Sequence, residues 1–368
     1  MDFLRKLFTR QGCVLLGLGL LMVHSASVTS RPTDFDDIYL SRHLIFLSVG
    51  LLAACVAAVA PPDFWKRIAP LFFVMTVILL IVVLVPGVGT RVKGAQRWLR
   101  YGGFSLQPSE LAKIAVPLMT CRAIIAAGPK ISGWWSGTVP LLLPTAIVLP
   151  LVLLQPDLGT AVFLAGETLL ILFVAGWPLR NFLLGMAVSV PALFSCLAMK
   201  PYQQRRITGF LETWSSWDAA PYQIKQSLVT FGSGGFFGVG LGKGWQKLSF
   251  LPEANTDFIF AVIGEELGMV GTLGLVILWC AFYLTGLRLL SSLDNRGFEF
   301  LTGFSLLTML TLQAMLNVAV VTALVPPKGI SHPLISAGGS NLVVCLLSLG
   351  IVLNLSRDRS AETPSRPG

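Results

Sequence analysis

Ten mostly apolar stretches divide the chain, at about 12–29, 41–60, 68–85, 108–127, 139–154, 158–175, 178–198, 258–287, 298–325 and 333–356. A helix needs about 20 such residues to cross a bilayer, so ten spans would take up roughly 200 of the 368 residues. Charge is correspondingly scarce. There are 45 charged side chains (27 Lys and Arg plus 18 Asp and Glu), or 12% of the chain, about half of what soluble domains carry. No soluble interior of this size would hide so much apolar surface. A soluble enzyme, a disordered tail and a disulfide-stapled secreted module are therefore excluded. The expected fold is all-α, a polytopic membrane protein of about ten transmembrane helices. It forms a single membrane domain over 1–368, with a large loop at 199–257 and a short tail at 357–368.

The basic residues of the short loops set the orientation. With the N-terminus inside, thirteen fall on the cytoplasmic side: Arg5, Lys6, Arg10, Lys66, Arg67, Arg122, Lys130, Arg180, Arg288, Arg296, Arg357, Arg359 and Arg366. Only Arg31, Arg42 and Lys328 lie in short loops opposite. Both termini are thus expected in the cytoplasm. The first apolar stretch, with Arg5-Lys6 before it and Ser25-Ala26-Ser27 after it, imitates a cleavable signal but is read as an uncleaved anchor.

Two outer segments, 86–107 and 199–257, are too long for simple turns and too aromatic for disorder. They are expected to be ordered, partly re-entrant caps. They carry Arg91, Lys93, Arg97 and Arg100, then Lys200, Arg205, Arg206, Lys225, Lys243 and Lys247, with Lys113 just inside the following span. Cations gathered there suit a lipid phosphate or pyrophosphate, and equally suit ordinary anionic headgroups. The glycine run from Gly232 to Gly244 is not a nucleotide loop. Phe237 occupies the first glycine position of a Walker motif and Gly244 the Ser/Thr position. These glycines are expected to let backbone turn sharply or approach helices closely. The six cysteines all lie in apolar stretches without zinc spacing, so no disulfide or zinc site is expected. No nucleic-acid partner is expected either.

Four short motifs carry the polar chemistry. Gln107 to Lys113 reads as a helix start with Pro108 at the first position, and Glu110 and Lys113 are spaced to pair on one face. Gln155-Pro156-Asp157-Leu158-Gly159 is a hairpin tip whose Asp157 either caps the next helix or contacts a ligand. Asn255-Thr256-Asp257-Phe258 opens a span, so Asp257 is either an N-cap or a carboxylate at the outer surface. Glu265 would lie about 12 Å deeper, and Glu265 and Glu266, about 100° apart, read as helix-to-helix bonding groups. Pro326 to Asn341 contains helix breakers and a glycine pair, so it is expected to be non-helical and to line a cavity, with His332 structural.

Together these motifs resemble the SEDS family, the FtsW/RodA peptidoglycan polymerases, over residues 12–356. The likeness rests on His24 to Ser27, Gly94 to Leu99, Gln107 to Lys113, Gln155 to Gly159, Leu251 to Gly268, and Lys328-Gly329 through Gly338-Gly339-Ser340. The Leu251-Pro252-Glu253-Ala254 form and Pro326-Pro327-Lys328-Gly329 favour the division branch, FtsW. Lys93 stands where Asn is usual, Asn255 where His is common, Ser249 where Glu is frequent, and Ser336-Ala337-Gly338-Gly339-Ser340-Asn341 where the family reads Ser-Tyr-Gly-Gly-Ser-Ser.

The resemblance implies polymerisation of lipid II, a disaccharide-pentapeptide on undecaprenyl pyrophosphate, at the outer face of the bacterial cytoplasmic membrane. It implies Asp257 as the catalytic carboxylate. A sugar hydroxyl needs such a base, and a pyrophosphate leaving group needs cations, which Arg97, Lys113 and Lys328 would supply. Glu110 and Asp157 would orient those cations or a divalent cation, magnesium or manganese, and Ser336 is a further substrate contact. Expected partners are a class B penicillin-binding protein and other divisome or elongasome membrane proteins. The alternative is a flippase for the lipid-linked precursor, which would place its polar site at midplane in broken, repeated helices.

Overall fold

The computed structural model describes residues 2–27, 34–61, 63–92, 95–101, 104–198, 201–248 and 250–357. Arg31, Lys93, Gly94, Lys200, Ser249, Arg359 and Arg366 lie outside the described residues. Twelve α-helices follow in order: α1 Asp2–Ser27, α2 Asp34–Val59, α3 Phe64–Val82, α4 Pro108–Ala127, α5 Val139–Leu154, α6 Leu158–Val174, α7 Leu179–Ala198, α8 Pro201–Ser215, α9 Tyr222–Ser233, α10 Ile259–Leu290, α11 Phe298–Val321 and α12 Gly339–Leu355. Helix occupies all ten expected stretches. Among the described residues, seven helices are long and apolar enough to cross a membrane, while α6 and α12 are apolar but shorter. The chain is a multi-pass membrane protein. Large apolar side chains point outward from α2 and α3, such as Leu52 and Val56 on one and Leu71 on the other. Hydrocarbon, not water, is the solvent for such faces.

Two apolar clusters share one central helix. Phe8, Leu15 and Met22 of α1 pack with Trp279 and Phe282 of α10 and with α11 and α12. Phe73 and Leu80 of α3 pack with Val148, Val152, Ala161 and Leu164 from α5 and α6. Helix α4 belongs to both and is buried nearly all round, which fits a helix apolar on every side except Glu110, Lys113 and Arg122. Small residues permit close approach elsewhere. A Cβ on Gly350 of α12 would lie 2.3 Å from the Ala54 carbonyl of α2, and one on Gly19 of α1 would lie 2.3 Å from the Leu334 carbonyl.

One end of the bundle gathers the irregular segments. Between α3 and α4 the chain forms an antiparallel sheet of β1 Gly89–Val92, β2 Ala95–Tyr101 and β3 Phe104–Leu106. Gly89 faces Leu99, and Leu99 also faces Leu106, with an irregularity at Thr90 and Arg91. Order at 86–107 was expected, but strands were not. Each is short, and Gln96-Arg97-Trp98-Leu99-Arg100-Tyr101 lacks the alternation that marks a half-buried strand. The 199–257 loop contains α8 and α9, and its described residues then run mainly as turns from Gly234 to the start of α10.

Helix α10 departs from the expected continuous span. Gly268 sits at φ 66° and ψ −163°, which breaks it into a short leading segment and a long one. The glycine-rich run repairs the break. Val239 and Gly240 donate their N–H groups to the Glu265 and Glu266 carbonyls at 2.9 and 3.0 Å, and Met269 and Val270 donate to Gly235 and Phe236 at 3.0 and 3.2 Å. Four of the backbone groups freed by the break thus find protein partners, as membrane-embedded backbone requires. A Cβ on Gly234 or Gly238 would fall within 2.3 Å of an α10 carbonyl, so the close-approach reading of this run holds.

Replacing Gly350 with Leu should push α2 from α12. Overpacking of this kind costs about 1–3 kcal/mol, so the thermal midpoint of the detergent-solubilised protein should fall by several degrees. The same substitution at Gly166, where a Cβ meets nothing within 4 Å, should leave it unchanged.

Candidate functional site

At the irregular end, the linker from Thr322 to Gly338 folds over the segment that precedes α10. Ser336 Oγ donates to the Thr256 carbonyl at 2.6 Å, and Ala337 N donates to the Asn255 carbonyl at 2.9 Å. Ser336 Oγ also accepts the His332 N–H at 2.7 Å, so this buried hydroxyl is a strut between two backbones. Asn317 of α11 donates from Nδ2 to both the Asp257 and the Ile330 carbonyls, each at 2.7 Å. The result is a narrow approach between the linker and Asp257. A Cβ on Gly329 would lie 2.9 Å from Asp257 Oδ2. Asp257 is not the N-cap of α10, because the helix starts at Ile259 with Phe258 at the cap position.

The cations stand in three different settings. Lys113 is buried. Its ammonium donates to Glu110 Oε1 at 2.8 Å and to Gln313 Oε1 at 3.0 Å, and it lies 5.6 Å from the Phe163 ring centre. The expected Glu110–Lys113 pair is therefore formed, and Asn341 of α12 completes it by donating to Glu110 Oε2 at 2.8 Å. Arg97 of β2 donates to the Gln155 carbonyl at 3.0 Å and to the Pro156 carbonyl, and its Nη1 lies 3.7 Å from Asp157 Oδ1. Its guanidinium thus closes the C-terminal end of α5, where carbonyls lack helical partners. Asp157 caps α6, accepting from Thr160 N at 3.3 Å and Thr160 Oγ1 at 3.0 Å.

Lys328 is the partly exposed cation on the linker. Its stem runs past Gly159, where a Cβ would lie 3.7 Å from Cδ, toward Asp157. Burial draws the ammonium below the usual lysine range, and the Asp157 charge opposes that shift. The structure thus brings Arg97, Asp157 and Lys328 together at the hairpin tip. It places Glu110 and Lys113 beneath them, and Asp257 and Ser336 beside the linker.

A second polar cluster lies outside this group. Lys247 and Glu266 meet at 2.5 Å with side chains 1% and 0% exposed, and Ser25 Oγ donates to both Glu266 oxygens at 2.7–2.8 Å. Glu265 accepts the N–H groups of Trp245 and Gln246 at 2.8 and 3.2 Å. The carboxylates are bonding groups, as expected, but they do not lie deep along a straight helix. Glu266 meets Ser25 two residues from the end of α1, and both carboxylates sit on the leading segment of α10, ahead of the break at Gly268. His332 is fully buried against Phe260 and Trp279, a packing role.

The oxygens of Glu110 and Asp157 are already taken up by Lys113, Asn341, Thr160 and Gln107. Among the described residues no group of three His, Cys, Asp or Glu is arranged to hold a metal. Reading the sequence missed Gln313, Asn317, Asn341, Gln107 and the Lys247–Ser25 contact. For the first two the signal was available: uncharged amides inside an apolar span are expensive unless they are bonded.

The family model of the FtsW/RodA/SpoVE cell cycle proteins matches residues 5–361. The probable peptidoglycan glycosyltransferase FtsW of Geobacter metallireducens is 40% identical over 349 residues, covering 94% of this chain and 92% of that protein. Stage V sporulation protein E of Bacillus subtilis is 35% identical over 347 residues, with 94% of each chain covered. Among solved structures, the rod shape determining protein RodA of Thermus thermophilus superposes with a TM-score of 0.70 at 29% identity, covering 96% of each chain. A chain from work on "structural coordination of polymerization and crosslinking by a peptidoglycan synthase complex" superposes with a TM-score of 0.78 at 29% identity, covering 96% of this chain and 97% of that one.

Lys247→Met should strand the Glu266 charge in the interior. Breaking a buried pair this way costs about 3–5 kcal/mol, whereas replacing both partners by apolar groups is often neutral. Thermal unfolding in detergent should therefore show a large loss for the single variant. Lys247→Met with Glu266→Met should recover most of it.

Proposed function

The chain belongs to the FtsW/RodA/SpoVE family, and from that premise we propose that Asp257 and the Lys328 linker form the centre of a lipid II polymerase. The protein is a peptidoglycan glycosyltransferase of the SEDS type, serving cell-wall synthesis in division. Its irregular end faces outward, with both termini in the cytoplasm, and its membrane is the bacterial inner membrane. The uneven basic loops support that orientation. It acts as a single membrane unit, with 199–257 as the large outer loop, and works beside a class B penicillin-binding protein and other wall-synthesis proteins.

One observation carries the reading. The part-exposed carboxylate of Asp257 lies against Gly329, where a Cβ would come within 2.9 Å of its Oδ2, and Gly329 directly follows the part-exposed Lys328 in the same linker. Asp257 accepts the proton of the acceptor sugar hydroxyl as its oxygen attacks the anomeric carbon of the donor, with inversion. The bond from that carbon to the pyrophosphate oxygen breaks, and the electron pair leaves with undecaprenyl pyrophosphate. Lys328 supplies positive charge where that anion develops. Arg97 and Lys113 act one step back, Arg97 by fixing the hairpin tip and Lys113 by anchoring α4 to α11.

A flippase would use the broken helix, yet the carboxylates at the α10 break are spoken for. Ser25, Lys247 and three backbone N–H groups hold them. Among the described residues, those contacts favour a structural role for the break over a headgroup site.

With labelled lipid II and the partner present, Asp257→Ala should reduce glycan-strand formation by about 10²–10⁴-fold, the range for removing a general base. Unchanged polymer would overturn the assignment of Asp257, and lipid scrambling without polymer would favour the flippase. The lowered pKa of Lys328 adds a pH test. As pH rises, Lys328 loses its charge earlier than a free lysine, so wild-type turnover should fall on the alkaline side. Lys328→Arg, whose guanidinium stays charged, should extend activity to higher pH.

A further inference from the structure

Helix α11 carries two buried amides one turn apart, Gln313 and Asn317, 2% and 0% exposed. Neither is needed for packing, and each is costly in an apolar span unless it is bonded. Both are bonded, and to the same two structures. Gln313 accepts from Lys113 of α4 through Oε1 and donates to the Ser331 carbonyl of the linker at 2.8 Å through Nε2. Asn317 spends both of its donors on carbonyls, one at Asp257 and one at Ile330. An amide is the right group for this task. A carboxylate would offer no donor to the carbonyls, and an ammonium no acceptor to Lys113.

We propose that Gln313 and Asn317 are positioning residues for glycosyl transfer, forming one ruler on α11 that sets the spacing of Asp257, the Lys328–Gly329 backbone and the buried Glu110–Lys113 pair. The inference rests on the reading of Asp257 as the base. The reach of the ruler is short. Ile330 follows Gly329, where an added Cβ would lie only 2.9 Å from Asp257 Oδ2. Loss of the Asn317 donors frees the Asp257 and Ile330 carbonyls to separate, which widens the gap between carboxylate and lysine. Rates respond steeply to such changes, because a displacement of about 1 Å can cost about a hundredfold. Substrate binding, which draws on the whole outer surface, is affected far less. Gln313 acts at the other end of the same device. Without it the linker loses its tie to α4, and Lys113 keeps Glu110 alone.

The test compares Asn317→Leu, Gln313→Leu, Asn317→Ser and Leu312→Ala with Asp257→Ala, in full-length protein with its partner and labelled lipid II. Leu312 lies on the exposed face of the same helix and controls for disturbance of α11. The expected result for Asn317→Leu is a kcat at least tenfold lower with KM within about twofold, and a displaced acid limb in the pH profile. Asn317→Ser, whose hydroxyl reaches at most one carbonyl, should retain an intermediate kcat, and it remains informative if the Leu variant does not fold. Gln313→Leu should also lower kcat, while Leu312→Ala should match wild type. If Asn317→Leu keeps kcat within twofold while Asp257→Ala is dead, the ruler is overturned and the base stands. Losses that only track the folded fraction, with an unshifted pH profile, also overturn it and leave a purely structural role. An active Asp257→Ala overturns the underlying reading instead.

Discussion

A chain that lives in hydrocarbon must satisfy every backbone N–H and C=O from within, because no water is available to do so. Two of the stretches that abandon the helix show how this is done. At Gly268 the lost turn of α10 is replaced by four hydrogen bonds from the glycine-rich run. Between α11 and α12 the linker gives its carbonyls to Gln313 and Asn317 and braces the backbone of Asn255 and Thr256. A continuous helix through the linker would have left it no spare groups with which to brace the backbone around Asp257.

The same constraint governs the ions. A buried charge without a partner is far more costly than one that is paired and hydrogen-bonded. Lys113 accordingly has Glu110 and Gln313, while Lys247 has Glu266, Ser25 Oγ and the Ser25 carbonyl. Both lysines are spent on holding elements together. What remains for an incoming anion sits on the partly exposed rim, on Lys328 and on what Arg97 has left after closing the hairpin tip. The basic character of this end thus divides into structural cations below and chemical ones above.

That division was only half legible in the sequence. The spans were readable because twenty apolar residues in a row admit little besides a membrane helix. The Glu110–Lys113 pair and the Asp157 cap follow from spacing within a turn, and both are present. Everything that depends on contact between distant segments was hidden. The sheet lacks alternation. The break at Gly268 sits in a stretch with no proline, and Lys247 with Ser25 spans 222 residues. Asp257 offers the sharpest case. Its place before an apolar span left open an N-cap or a carboxylate at the outer surface, and the helix caps one residue later with the carboxylate against Gly329 of the linker. Only the folded chain shows why: Asn317 holds the Asp257 carbonyl on the far side of the turn.

Lys328 and the backbone that confines Asp257 belong to one linker, and that linker is fastened at Ser331, Ile330 and Ser336 to α11 and to the start of α10. Movement of the linker therefore carries cation and confining wall together, keeping the leaving-group site in step with the base. The hairpin tip is fastened separately, by Arg97 from the sheet. Sheet and linker are themselves joined, because Ser340, two residues past the linker, donates to the Ser105 carbonyl at 2.8 Å and accepts the Gln107 N–H at 3.1 Å. Each departure from helix at this end is thus satisfied by a neighbouring segment, as hydrocarbon requires.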